Sequence, residues 1–334
     1  MMRKVSTLGR RQFTRFAASL PFSLGAARNA GAHGAAWTMA TEYPASTVSG
    51  EGIAFFATRV AEESQGHLTV MPSYDAALGL KSAEIVAAIR DKKLDAGCAF
   101  AGALGKIDPL FLLSSLPFVA VRDSDVRRLL DKAHALYVEK FAREKQRLLY
   151  ATPWPATGLW AKKPITTPAD LAGLKLRTYD TTGVGVFTAA GAQPLNLSFA
   201  DTMPRLLDGT VEAVLSSGDG GAGRKLWEYL PHFTEIGYAM PLSFATLATE
   251  QYEEQPADLR GCIDRAATAA QAEGWARLDK RIGENYARLR ANKVTITTAD
   301  QIDPALHKML AAAATTAIAA WKRDAGPEAA ALIS

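Results

Sequence analysis

The sequence predicts an α/β protein of two lobes with parallel-type sheets, joined at a hinge. Three observations carry this prediction. Residues 37–100 alternate short apolar strands with amphipathic helical stretches, and a β-α-β-α-β order of this kind needs parallel strands with right-handed crossovers. Pro153-Trp154-Pro155-Ala156-Thr157-Gly158 then breaks two apolar runs with the proline and glycine punctuation that a hinge strand uses. Residues 256–289 repeat apolar side chains near 3.6-residue spacing over a span of roughly 50 Å at 1.5 Å per residue, longer than one small domain. The 334 residues suffice for two cores.

Taken in order, the first 36 residues are set apart as a signal peptide. Gly9-Arg10-Arg11-Gln12-Phe13-Thr14-Arg15 has the look of a twin-arginine export signal, and a moderately apolar run over 16–27 leads to Ala30-Gly31-Ala32, which suits a signal peptidase. The run is about half the ~20 residues that span a bilayer. It is therefore expected to be removed, placing the mature chain in the periplasm. A first strand follows at 37–41, a helix at 48–64 with Ile53, Phe56 and Val60 facing the core, and a second strand at 67–72. A helix at 82–90, a strand at 94–100, a helix at 123–143 and a strand at 148–152 complete the first domain as far as Trp154.

In the second domain, Thr167 caps a single turn over 168–171, Pro168 suits its first position, and Asp170 suits its positive end. Gly173 stops the turn. Leu174 and Leu176 alternate with Lys175 and Arg177 along a short strand, so Arg177 stands at the strand's carboxyl end, where open α/β sheets bind ligands. Helices at 182–190 and 199–207 and a strand at 211–215 lead to the glycine-rich Ser216–Gly223 run. The chain is expected to return to the first domain near 238–248, and the long 256–289 helix to bridge both. A strand at 294–297 and an alanine-rich helix at 304–322 close the sequence. The expected division is 1–36 signal, 37–154 with 240–283 as domain I, 155–239 with 284–300 as domain II, and 301–334 as a C-terminal helix.

The composition excludes several functions. A net charge of +4, much of it in the first 28 residues, gives no case for nucleic acid, and two cysteines are too few for a disulfide framework or a thiolate metal site. An oxidising compartment permits a Cys98–Cys262 bridge, although two buried, unpaired thiols are the expectation. The five histidines have no i, i+4 partner, and no HExxH, G-x-S-x-G, phosphate-loop or dinucleotide pattern occurs. Neither an enzyme nor a cofactor is expected.

The stretch Pro164-Ile165-Thr166-Thr167-Pro168-Ala169-Asp170-Leu171-Ala172-Gly173-Leu174-Lys175-Leu176-Arg177, followed by Gly191-Ala192-Gln193-Pro194 and by Leu207-Asp208-Gly209-Thr210-Val211-Glu212-Ala213, resembles the periplasmic solute-binding proteins of TRAP transporters, the DctP family. The resemblance implies a two-domain periplasmic-binding-protein-like fold with a ligand cleft at the hinge and a long domain-spanning helix. It also implies a small organic acid as ligand, and the small and large TRAP permease subunits as membrane partners. By the same resemblance Phe199 matches an aromatic wall residue, and Ser216 replaces an asparagine that helps the arginine hold the carboxylate. Thr157 stands about where many members carry a second arginine, which argues against a dicarboxylate. ABC-type or sensor-linked binding proteins, or an enzyme on a similar scaffold, are the alternatives.

The arginine fork of Arg177 is the expected carboxylate anchor. Ser217, Trp154 and Tyr238 join Phe199, Ser216 and Thr157 as candidates from the hinge and second domain, with Trp160, Trp227 and Tyr179 among the neighbouring aromatics. From strand ends of the first domain come Tyr43, Asp75 and Phe100, with Glu42 and Tyr74 in the same loops. The aromatic bias points to an apolar or ring-bearing monocarboxylate, with 2-oxo and 2-hydroxy acids included.

Overall fold

The computed structural model describes residues 35–333. The twin-arginine stretch and the cleavage sequence lie outside the described residues. Ala35 and Ala36, set apart with the signal by sequence, belong to the first strand, where Ala35 pairs with Leu68.

The first lobe is built on a five-stranded sheet. Its strands are β1 (Ala35–Thr41), β2 (Leu68–Ser73), β3 (Ala96–Phe100), β4 (Gln146–Pro153) and, from the returning chain, β10 (Leu242–Ala248), in the order β2-β1-β3-β10-β4. Helices α1 (Val48–Glu63), α2 (Ser82–Arg90) and α3 (Asp123–Arg143) cover it. The second lobe is built on a six-stranded sheet in the order β11-β9-β5-β8-β6-β7: β5 (Thr157–Ala161), β6 (Lys175–Thr178), β7 (Gln193–Asn196), β8 (Ala213–Ser217), β9 (His232–Thr234) and β11 (Thr295–Thr297). With it go α4 (Thr181–Ala189), α5 (Phe199–Leu207) and α6 (Gly218–Gly223).

Both sheets are mixed rather than wholly parallel, and in each the antiparallel member is the strand on which the chain crosses between lobes. β5 runs against β8 and β9, and β10 runs against β3 and β4. A chain that arrives from the other lobe enters its host sheet from the hinge edge, opposite in sense to strands that leave it there.

The long helix expected over 256–289 is two helices. After the short α7 (Thr249–Glu253), α8 (Ala257–Ala276) and α9 (Leu278–Ala291) are separated by Arg277 alone. Each half aims its buried stripe at a different lobe: Cys262, Ile263, Ala266 and Ala270 pack toward α1 and β4, whereas Asn285 and Leu289 pack toward α6 and β11. The final helix α10 (Pro304–Ala330), expected as a separate C-terminal segment, also bridges. Leu306 and Leu310 join the core of the second lobe, while Trp321 joins that of the first and donates its Nε1–H to the carbonyl of Pro109 at 2.7 Å. It runs past the expected end at 322 to a kink at Gly326, where φ is 83°. Both thiols are free and buried.

Candidate functional site

Arg177 lies on β6, between Leu195 of β7 and Val214 of β8, and β6 is held in register on both sides. The turn before it is locked by Asp170, whose carboxylate accepts from the backbone N–H groups of Thr166 and Thr167 at 3.0 and 2.7 Å. Gly173 ends that turn at φ 71°, a left-handed conformation that glycine adopts without strain. The strand's burial runs from exposed Lys175 to fully buried Leu176, Arg177 and Thr178.

The guanidinium is 2% exposed. Nε donates to the carbonyl of Leu197 at 2.9 Å and Nη1 to that of Leu215 at 3.1 Å. These bonds fix the fork in place and use two of its five N–H donors. Among the described residues no carboxylate forms an ion pair with it. Burial accordingly pushes its pKa below the usual arginine value, against opposing fields from Tyr43 and Glu42. A buried cation without a counter-ion is costly unless charge is supplied from elsewhere.

The fork faces a compact cavity between the lobes, lined by Arg177 and by residues from both sides. The first lobe and hinge contribute Tyr43, Phe100, Trp154 and Pro241, and the second contributes Thr157, Tyr179, Phe199, Ser216, Ser217 and Gly220. Five aromatic rings make the wall. Tyr43 and Trp154 stand 4.7 Å apart by ring centroids, Phe100 and Tyr179 5.1 Å, and Tyr43 and Phe199 6.3 Å. Trp154 is set by a 2.8 Å bond from Nε1 to Ser243 Oγ. The guanidinium carbon of Arg177 lies 4.9 Å from the Phe199 ring centroid, a cation–π contact.

The polar side is made of hydroxyls. Thr157 Oγ1 accepts from the Tyr179 hydroxyl at 3.5 Å, and Ser217 Oγ accepts from Gly220 N at 3.1 Å, capping α6. A Cβ at Gly220 would come 2.5 Å from Ser216 Oγ, so a side chain there would push that hydroxyl aside. At Gly221 a Cβ would reach within 2.2 Å of the Trp160 ring. The glycine-rich run thus ends β8 and forms a six-residue helix pressed against its own sheet.

Eight of the ten residues singled out from the sequence line this cavity: Arg177, Ser216, Ser217, Phe199, Thr157, Trp154, Tyr43 and Phe100. Two do not. Tyr238 is fully buried one layer behind, stacked on Phe187 at 5.7 Å and 6.4 Å from Tyr179, its hydroxyl without a protein partner. Asp75 is turned outward and pairs with Arg224. Tyr179, Gly220 and Pro241 complete the lining. Tyr179 had a signal, two residues beyond the arginine, while Gly220 and Pro241 had none that a single chain displays. A wider space of about 310 Å³ adjoins the cavity at Tyr43, Phe100, Arg177, Tyr179 and Phe199, and is lined also by Lys81 and Lys106.

The family comparison decides what these two lobes are. Residues 39–319 match the family of bacterial extracellular solute-binding proteins, family 7, DctP. The chain belongs to the DctP family. This DctP-family protein is a periplasmic solute-binding protein of the TRAP kind, and its relatives are receptors rather than enzymes. It is 26% identical over 265 residues to a solute-binding protein of Verminephrobacter eiseniae, covering 77% of each chain. Among solved structures it resembles DctP7, a Bordetella pertussis extracytoplasmic solute receptor binding pyroglutamic acid, with 25% identity, a TM-score of 0.84, and 90% of this chain and 98% of that one covered. A TRAP solute-binding protein specific for pyroglutamate, from a marine metagenome, aligns with 26% identity and the same score and coverage. No helix among the described residues is long and apolar enough to cross a membrane.

Proposed function

We propose that this DctP-family receptor captures a compact monocarboxylate, ring-bearing or with a 2-oxo or 2-hydroxy group, and delivers it to the small and large membrane subunits of a TRAP permease. The observation that carries the reading is Arg177: a buried guanidinium, fixed by two backbone carbonyls, without a counter-ion among the described residues, facing an interlobe cavity. A ligand carboxylate supplies the missing charge through paired, charge-assisted hydrogen bonds. The cavity is compact and its aromatic wall suits a flat ring. The lining holds one cation, so a second carboxylate would be left unpaired there. A lactam acid such as pyroglutamate meets all of these conditions, and two neighbours at 25% and 26% identity are receptors for it. We also infer export by the twin-arginine route from Arg10-Arg11.

Catalysis has no support in this cavity. Its lining contains no histidine, carboxylate, cysteine or lysine, and burial pushes the hydroxyls of Tyr43 and Tyr179 well above the usual tyrosine range, so neither serves as a base near neutrality. The test is a thermal-shift panel of pyroglutamate, aromatic and 2-oxo monocarboxylates, succinate and galactonate. Monocarboxylates should stabilise the protein, by about 2.7 kcal/mol at a hundredfold excess over Kd. Stabilisation by succinate or galactonate alone would reject the monocarboxylate reading.

A further inference from the structure

Glu42 follows directly on β1 and is 2% exposed. Its carboxylate is shared between the lobes. Oε2 accepts from Ser82 N, at the start of α2 in the first lobe, at 3.0 Å. Oε1 accepts from Phe199 N at 2.6 Å and Ala200 N at 3.2 Å, in the first turn of α5 in the second lobe. Two helix N-termini from opposite sides of the cleft therefore converge on one buried carboxylate, which both the free N–H groups and the helix dipoles favour.

The residue held this way is the one that roofs the cavity. The Phe199 ring is approached by two guanidinium groups, that of Arg177 at 4.9 Å and that of Arg224 at 5.7 Å from its centroid. Arg224 is tied to the same loop: its Nη2 donates to the main-chain carbonyl of Glu42 at 2.6 Å, and its Nη1 pairs with Asp75. The first lobe thus grips Phe199 by its backbone N–H, through the Glu42 carboxylate. A second tie crosses the cleft beside the Phe199 ring, where Arg224, at the end of α6 in the second lobe, reaches the Glu42 carbonyl and Asp75. Separation of the lobes breaks both ties to the first lobe, while Arg177 and Arg224 stay with Phe199 in the second.

We propose that Glu42 is the interlobe latch of the cavity, a positioning residue that holds Phe199 over the acid bound at Arg177 and sets the rate at which that acid leaves. The latch rests on the receptor reading above for its consequence, but it is made of protein atoms alone. Hydrogen bonds to a charged acceptor are stronger than neutral ones, and two of them cross the cleft here.

The experiment compares wild type with Glu42→Gln, which keeps the shape and removes the charge, and with Glu42→Asp, which keeps the charge on a shorter arm. Dissociation of L-pyroglutamate is followed by stopped-flow tryptophan fluorescence, with Trp154 in the cavity wall as reporter, at a temperature where circular dichroism shows all three folded. The expected result is dissociation roughly tenfold faster or more in Glu42→Gln, association no slower, and an intermediate rate in Glu42→Asp. An unchanged dissociation rate in both variants overturns the latch. Amide hydrogen exchange judges it separately from the ligand assignment: Phe199 and Ala200 should exchange faster in Glu42→Gln, and acceleration confined to Ser82 would reduce Glu42 to a cap of α2 and overturn the proposal. If wild type binds no monocarboxylate, the receptor reading loses its ligand class, and the exchange data alone decide the latch.

Discussion

At the residue scale the chemistry is divided between a charge that is exposed to the cavity and one that is hidden behind it. Arg177 keeps three N–H donors free of the backbone bonds that orient it. Asp180, three residues on, is buried at the cap of α4, where Oδ1 accepts from Gly183 N at 2.7 Å. Burial pushes its carboxyl up to about 7, although the Gly183 and Thr182 amides, Ser115 and Arg177 all act in the opposite direction. The groups that face it are Arg177 of β6 and the adjoining Tyr179, Ser115 and Gly102 from the first lobe, and Tyr238 from the hinge. A folded-state value above the unfolded one of 3.8 means that the folded state holds the proton more tightly. That stabilisation is complete below the unfolded value and is lost as pH rises through about 7. Wild type should therefore gain stability over Asp180→Asn as pH falls from 8 toward 4, measured by urea unfolding at several pH values. A difference that is flat with pH would show that the carboxyl titrates normally.

At the element scale the site depends on how strand ends and helix starts are locked. Asp219, the second residue of α6, is fully buried and accepts from Arg281 Nε of α9 at 2.5 Å, Asn285 Nδ2 at 2.9 Å and Val48 N of α1 at 2.9 Å. One carboxylate so joins the helix next to the cavity, the second half of the bridging pair, and the first helix of the opposite lobe. Asp219→Ala leaves Arg281 with only Glu51 and the Ser46 carbonyl, and should cost about 3–5 kcal/mol in a denaturant titration. A loss under about 1 kcal/mol would mean that water replaces the carboxylate at no great expense. The strands, helices and turn around Arg177 were legible because their signals are local: period-two alternation, a capping box with proline, and a glycine at positive φ. The break at Arg277 was not, because the apolar spacing continues unbroken through it and only the different direction of the two lobes requires it.

At the scale of the whole molecule, function lies in the contacts between lobes, and those are the least visible in a sequence. Eight cavity residues could be named because each sits at a strand end or in a motif, yet Asp75 and Tyr238 share those credentials and lie elsewhere. Their position depends on a partner 149 residues away in one case, Arg224, and on a ring stack with Phe187 in the other. The closed arrangement is held by cross-cleft pairs of the same long range: Glu42 with Phe199, Lys81 with Asp201 at 2.9 Å, and Val48 with Asp219. Two helical bridges, α8 with α9 and then α10, span the lobes beside the hinge strands. In the proposed receptor, ligand capture would work by differential affinity, because an acid on Arg177 would touch Tyr43, Phe100 and Trp154 only with the lobes together.

The central claim is that Arg177 receives the carboxylate, and isothermal titration of L-pyroglutamate into wild type and Arg177→Ala tests it most directly. Wild type should bind in the micromolar range, about −8 kcal/mol. The variant should lose roughly 2–5 kcal/mol or all measurable heat while still unfolding cooperatively. Wild-type affinity in Arg177→Ala would contradict the account.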